Sequence, residues 1–275
     1  MAHPDAFFLP LQHGRRFCIR YEPQAAAAPR GGLLYVHPFA EEMNKSRRMA
    51  ALQARALADA GWTVLQLDLF GCGDSEGEFG DADWRQWRAD VVDAAEWLRE
   101  RTGRPTSLWG LRVGCLLACE AARAMDPAPN LLLWQPVLSG KQSLQQFLRL
   151  KVTAQALAEP SPNRIGTQQL REKILDGDAV EVAGYRLSHG LAAGLDAAEL
   201  ALPEAPARIA WLEVAAGIPA LFTPAARTRI EAWKAAGHRV DARIVAGAAF
   251  WQTLEVAECP DLVSETLAAT ATWPA

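Results

Sequence analysis

The chain has 275 residues, half of them apolar, and a formal net charge of -4, enough apolar material for one large core with an insertion. A net-negative chain without a Lys/Arg block is not built as a nucleic-acid surface. No apolar run reaches the ~18 to 20 residues of a membrane helix, and "MAHPDAFFLP" lacks the basic-then-apolar order of a signal peptide. Cys18, Cys72, Cys115, Cys119 and Cys259 form no C-x-x-C pair. Their odd number suits free thiols in a reducing compartment, so a cytoplasmic location is expected. Cys115 and Cys119, four apart on an expected helix, read as small buried residues rather than a metal or redox pair. No metal or cofactor is expected.

Strand and helix signals alternate along the chain. "RRFCIRYEP" reads as an early strand ended by Pro23, after which an Ala-rich turn or short loop is expected at 25–28. "GLLYVHPF" is a short apolar strand, and "SRRMAALQARALADAGW" has helical periodicity that stops at Gly61. "TVLQLDLFGCGDSEG" is a buried strand with a Gly-rich loop. The helix of "ADWRQWRADVVDAAEWLRERTG" puts Trp84, Trp87, Val91, Ala95 and Leu98 on one face and ends at Gly103. "TSLWG", a tight turn, and a helix from Val113 come next, followed by the strand "NLLLWQPVLSG".

After Gly140 the rhythm changes. Residues 141–205 carry mostly helical or irregular signals, with a Pro/Asn-rich break, and are expected to form a lid over the carboxyl ends of the strands. The strand "ARIAWLEVA", the helix "AARTRIEAWKAAGH", the strand "RVDARIVAG" and a helix near 260–271 close the chain. Apolar strands separated by helices predict a mostly parallel sheet covered on both faces, with the core formed by 1–140 and 206–275.

Three stretches resemble the α/β-hydrolase fold. "YVHPF" stands where a strand and loop supply one oxyanion donor, "LDLFGCGDSEG" resembles the D-x-x-G-x-G-x-S loop, and "LWGLRVG" stands at the nucleophile elbow. A closer resemblance, carried by "HPFAEEMNKSRRMAALQARALA", "GLRVGCLLA", "VAGYRLSHGLAAGL" and "FWQTLE", is to the family of exosortase A system-associated hydrolase 2. It implies a bacterial setting of exopolysaccharide production and sorting of proteins with a short C-terminal anchor.

The machinery of a serine hydrolase is incomplete in the sequence. Gly110 and Gly114 keep the elbow spacing, but its apex is Arg112, which stays protonated and is no nucleophile. The loop after the last strand offers Phe250, Trp251 and Gln252 in place of a histidine. Of the five histidines, His3 and His13 are N-terminal, His189 is in the expected lid and His238 precedes the last strand. His37 lies in the oxyanion loop and is read chiefly as a hydrogen-bonding group. Glu213 is near the usual place of the triad acid but has no base to orient. Ser75 is expected to brace its loop, Ser46 to cap a helix or face solvent, and Cys115 to point into packing. No catalytic residue is assigned.

The expected binding set is His37, Phe39, Glu41, Glu42, Arg112 and Val113. The N–H groups of Phe39 and Val113 match the two oxyanion donors, whereas Pro38 has no N–H. "EEMNKSRR" reads equally as a solvated helix start and as a partner for Arg112. A desolvated guanidinium needs either an internal pair, with Glu41 or Glu42, or an anionic ligand on Arg112 and the two N–H groups. The internal pair is the favoured expectation. Three functions stay open: a small-molecule acyl or anionic ligand bound without Ser-His-Asp chemistry, hydrolysis of ester or thioester-type bonds by non-standard residues, and a scaffold that meets a protein partner through the lid.

Overall fold

The computed structural model describes residues 4–23, 29–158 and 165–273. His3, the Ala-rich stretch at 25–28 and most of the Pro/Asn-rich break lie outside the described residues. Among the described residues, eight strands form one sheet: β1 (Pro4–Leu11), β2 (Gly14–Tyr21), β3 (Gly31–Val36), β4 (Trp62–Leu67), β5 (Thr106–Leu111), β6 (Leu131–Trp134), β9 (Arg208–Ala215) and β10 (Arg239–Ala246). Their order is β1-β2-β4-β3-β5-β6-β9-β10. From β4 to β10 all neighbours are parallel; β2 joins β4 antiparallel, and β1 pairs with β2 from Pro4↔Tyr21 to Leu11↔Gly14. β1 was not expected. Two prolines and a half-exposed Phe8 give it no clean alternation, and an edge strand tolerates both.

β3, β5 and β6 are buried throughout, as strands covered on both faces must be. One face carries α1 (Glu41–Asp59) and α8 (Pro260–Ala271). The other carries α2 (Trp84–Thr102), α3 (Val113–Ala122) and α7 (Pro224–Ala235). The α2 stripe of Trp84, Trp87, Val91, Ala95 and Leu98 is fully in the core. Asp83 caps that helix by accepting from the Arg85 N–H, and Gly103 closes it in the left-handed region at φ 65°. On the α1/α8 face, Tyr35, Trp109 and Trp134 form an aromatic row, with centroid spacings of 4.4 and 4.7 Å. It continues through Phe250 to Trp251, and Trp134 Nε1 donates to Thr266 Oγ1 at 2.9 Å.

The segment between β6 and β9 holds α4 (Gly140–Ala158), α5 (Thr167–Leu175), a hairpin of β7 (Val180–Val182) and β8 (Tyr185–Leu187), and α6 (His189–Ala197). The hairpin departs from the expected helical or irregular character; three-residue strands are too short to leave a period-2 signal. The insertion is fastened to the core by a closed ring of aromatic contacts, Phe39–Phe79–Tyr185–Phe147, with neighbouring centroids 5.0 to 6.4 Å apart. Ser188 caps α6 and also donates to the Ala82 carbonyl at 2.6 Å. Gly194 lets α6 approach Trp84 where a Cβ would collide with the indole.

Candidate functional site

Arg112 ends β5 and opens α3 with φ 55° and ψ -119°. A side chain at positive φ costs about 1–3 kcal/mol, so the surrounding structure must hold it. Gly110 and Gly114 are part of that hold. A Cβ on Gly110 would meet Cys115, and one on Gly114 would meet the carbonyl oxygens of Val36 and His37. The strained strand-to-helix turn expected from the sequence is therefore present. A second turn of the same form, which the sequence did not signal, lies beside it. Ala40, between β3 and α1, has φ 50° and ψ -125°. Because β3 and β5 are parallel neighbours, α1 and α3 both begin at this end of the sheet.

A cavity of about 300 Å³ opens between the two turns. Phe39, Glu41, Glu42, Arg112 and Val113 line it, so five of the six expected residues come together. His37 does not line the cavity. It is buried behind it, held by Nδ1 against the Pro38 carbonyl at 2.8 Å and by Nε2, which accepts from the Leu69 N–H at 3.3 Å. Burial pushes its pKa down, and Asp68 opposes this. His37 thus fastens the D-x-x-G loop to β3, in line with the hydrogen-bonding role read from the sequence, and its ring is not on the cavity wall.

Arg112 Nε donates to Glu42 Oε1 at 3.2 Å, with the two side chains 17% and 16% exposed, so solvent screens the pair only partly. The internal pair favoured from the sequence forms with Glu42. Burial pushes the Glu42 carboxyl up, and Arg112 pulls it back down. One hydrogen bond leaves the terminal guanidinium nitrogens without a hydrogen-bond acceptor among the described residues. The guanidinium carbon lies 5.7 Å from the Trp251 ring centroid, within cation–π reach. Trp251 stands in the loop after β10, where the base of a serine hydrolase is carried, and the aromatic row fixes it there. The Phe39 and Val113 N–H groups have no hydrogen-bond partner among the described residues. Glu41 lines the cavity too, with a buried Oε2 that lacks a hydrogen bond.

The sequence reading missed the far wall, where Ser143, Gln146, Phe147 and Leu150 of α4 face the cavity with Lys45 of α1. Lys45 was inside the quoted charge cluster; its place one turn after Glu41 was the available signal. The α4 residues left none, because which face of an inserted helix meets the core depends on how the insertion docks. Ser143 Oγ donates to the Ser139 carbonyl at 3.1 Å, and no base adjoins it among the described residues.

The other candidates are structural. Ser46 is a correction. α1 begins at Glu41, five residues before Ser46, so Ser46 is buried and bonds back to the Glu42 carbonyl at 2.7 Å instead of capping. Ser75 braces its loop, donating to the Asp68 carbonyl and accepting from the Phe17 N–H. Glu213 accepts from Trp211 Nε1 at 2.8 Å, away from the cavity, with its carboxyl pushed up by burial. The Cys115 thiol is buried, raised well above its ordinary value by burial, and directed at the Trp134 carbonyl. Among the described residues no His/Cys/Asp/Glu cluster could hold a metal ion. No helix there is long and apolar enough to cross a membrane.

Comparison with known proteins fits this architecture. The family model described as serine aminopeptidase, S33 (Hydrolase_4) matches residues 27–189, more than half of the chain. The chain belongs to this family. Human protein ABHD12B is 33% identical over 157 residues, which is 50% of this chain and 41% of that protein. The match thus spans less than half of that relative's length. Among solved structures, Est1E from Butyrivibrio proteoclasticus with bound ferulic acid aligns at a TM-score of 0.66, 14% identity, and 95% and 96% coverage of the two chains. A soluble variant of monoglyceride lipase from Saccharomyces cerevisiae aligns at 0.61, 13% identity, and 99% and 95% coverage. XC6422 from Xanthomonas campestris, described as an α/β serine hydrolase without lid, aligns at 0.57, 16% identity, and 99% and 95% coverage. At these identities the structures establish the α/β-hydrolase fold alone.

Proposed function

We propose that this chain is a ligand-binding member of its family. Its pocket takes a small acyl-bearing anion without forming an acyl-enzyme. The observation that carries the reading is the Arg112 guanidinium at the elbow apex, bonded once to Glu42 and faced by Trp251. An anionic head would accept from the terminal Arg112 nitrogens, from the Val113 N–H at the start of α3 and from the Phe39 N–H in the loop after β3. An apolar chain would lie along Phe39, Phe147 and Leu150. The resemblance to exosortase A system-associated hydrolases supports a bacterial, cytoplasmic role linked to exopolysaccharide production or protein sorting. Hydrolysis by non-standard residues is not favoured, since Ser143 is the serine on the cavity wall and lacks an adjoining base.

Titration of the full chain with octanesulfonate, an anion at every working pH, tests this reading. One-to-one binding is the expected result, and an absence of binding at millimolar ligand contradicts it. The pH dependence has a definite sign. Glu42 already holds its proton to higher pH than an ordinary glutamate because it is buried. A bound anion beside it raises that pKa further, so binding takes up a proton. Affinity is therefore expected to rise as pH falls toward the Glu42 pKa, by at most about tenfold per pH unit, and Glu42→Gln is expected to flatten the profile. A wild-type profile as flat as that of Glu42→Gln would contradict the assignment of the head group to this pair.

A further inference from the structure

Seven large apolar side chains stand exposed among the described residues, and six of them lie on segments that follow the carboxyl ends of β6, β9 and β10. Leu150 and Leu157 are on α4, Ile218 and Leu221 follow β9, and Leu254 and Val256 follow β10. Leu254 is fully exposed, and Leu157 and Leu221 are 83% exposed. Because β6, β9 and β10 run parallel, the segments that follow them leave the sheet at the same edge. The pocket opens there as well. Leu150 lines it, and so does Gln252, two residues before Leu254. Phe8, the seventh, is on the distant edge strand β1. Exposed aliphatic residues on the segments beside the pocket, with Val256 in a groove next to Arg47, Arg48 and Arg55 of α1, mark an interaction surface.

The charges at this end indicate what covers it. α4 carries Lys141, Arg149 and Lys151 and has no acidic residue along its length. Lys45 adds a cation on the pocket wall, within electrostatic reach of Glu42. Opposing charges are few. Glu258 is paired with Arg48, Glu42 with Arg112, and Glu41 lies inside the pocket; Glu255 stands on the rim, and Glu199 accepts from Ser139 just before α4. A two-fold contact between copies through this face would set the basic α4 against itself. An anionic lipid surface meets the lysines and arginines with opposite charge and takes the leucines into its acyl boundary.

We propose that the end of the molecule bearing the pocket mouth docks peripherally on an anionic bilayer, so that an acyl-bearing anion can pass between lipid and pocket. This rests on the reading that the pocket takes such a ligand. Flotation of the full chain with phosphatidylcholine vesicles, with and without phosphatidylglycerol, tests it. The chain is expected to float with the anionic vesicles and to stay behind with phosphatidylcholine alone. The double variant Lys141→Glu, Arg149→Glu is expected to weaken vesicle binding by at least about tenfold, from the loss and reversal of two basic contacts. Leu254→Ser with Val256→Ser is expected to weaken it similarly. Both double variants are expected to melt like the wild type and to bind octanesulfonate in solution as it does. Failure to float with anionic vesicles overturns the docking, as does flotation that neither pair of substitutions changes. A concentration-dependent dimer broken by the same substitutions would assign the face to a second copy and also overturn it. Octanesulfonate binding reports on the pocket by itself. If it persists while vesicle binding is absent, only the docking falls; if it is absent while vesicles bind, the pocket reading falls.

Discussion

Replacing Asp90 by alanine is expected to destabilise the chain by about 3–5 kcal/mol, the usual cost of breaking one side of a buried ion pair. Arg16 of β2 and Asp90 of α2 are essentially inaccessible to solvent. Arg16 Nε donates to Asp90 Oδ2 at 2.7 Å, and Arg16 Nη2 donates to Oδ1 at 2.9 Å. Oδ2 also accepts from the Phe70 N–H at 3.1 Å. The Arg16 guanidinium lies 4.9 Å from the Phe70 ring centroid as well. Removing the carboxylate leaves a charge buried with two backbone carbonyls, those of His13 and Arg15, as remaining acceptors. It also frees the Phe70 N–H in the loop that follows β4. Denaturant unfolding of Asp90→Ala measures the loss. Asp90→Asn keeps the shape and one acceptor and is expected to cost less. If Asp90→Ala unfolds with a midpoint near that of the wild type, the pair is not the tie between β2 and α2 that its geometry describes.

Arg112→Ala is expected to weaken octanesulfonate binding on the order of a hundredfold, because hydrogen bonds to a charged group contribute about 1.5–3 kcal/mol each. The effect on stability is expected to be smaller. Glu42 would lose its partner, but burial already raises its carboxyl and the loss of Arg112 raises it further, which lowers the cost of leaving it unpaired. Arg112→Lys keeps the charge and loses the planar fork, so an intermediate affinity is expected. Calorimetric titration read beside thermal unfolding separates the roles. An unchanged affinity with a lowered melting temperature would make Arg112 a strut for α1 and remove it from ligand recognition.

Much of the fold was legible because its signals are local. The α2 stripe, the apolar runs of β3 to β6 and the glycines around Arg112 each follow from a period or from a close backbone approach. The Arg112–Glu42 pair was legible in kind, since a desolvated guanidinium needs an acceptor and two glutamates follow the neighbouring strand. Which glutamate pairs is decided by the Ala40 turn, where an alanine at positive φ gives no warning in sequence. The helix start at the charge cluster was legible from its acidic-then-basic order, although the Ala40 turn opens α1 without a capping side chain. β1 escaped because prolines hide an edge strand, and the α4 wall escaped because the docking of an insertion is a tertiary matter. His37 was assigned to the site on proximity in sequence. Its ring turns inward because the Leu69 N–H and the Pro38 carbonyl both need a buried partner.

The central claim is that the elbow presents a binding group where a serine hydrolase presents its nucleophile. Intact-mass measurement after incubation with an excess of a fluorophosphonate tests this most directly. The account predicts an unchanged mass, since Arg112 cannot be phosphonylated and Trp251 offers no base. A stoichiometric adduct, mapped to Ser143 on the cavity wall or to Ser46 or Ser75, would show an activated serine and contradict the account.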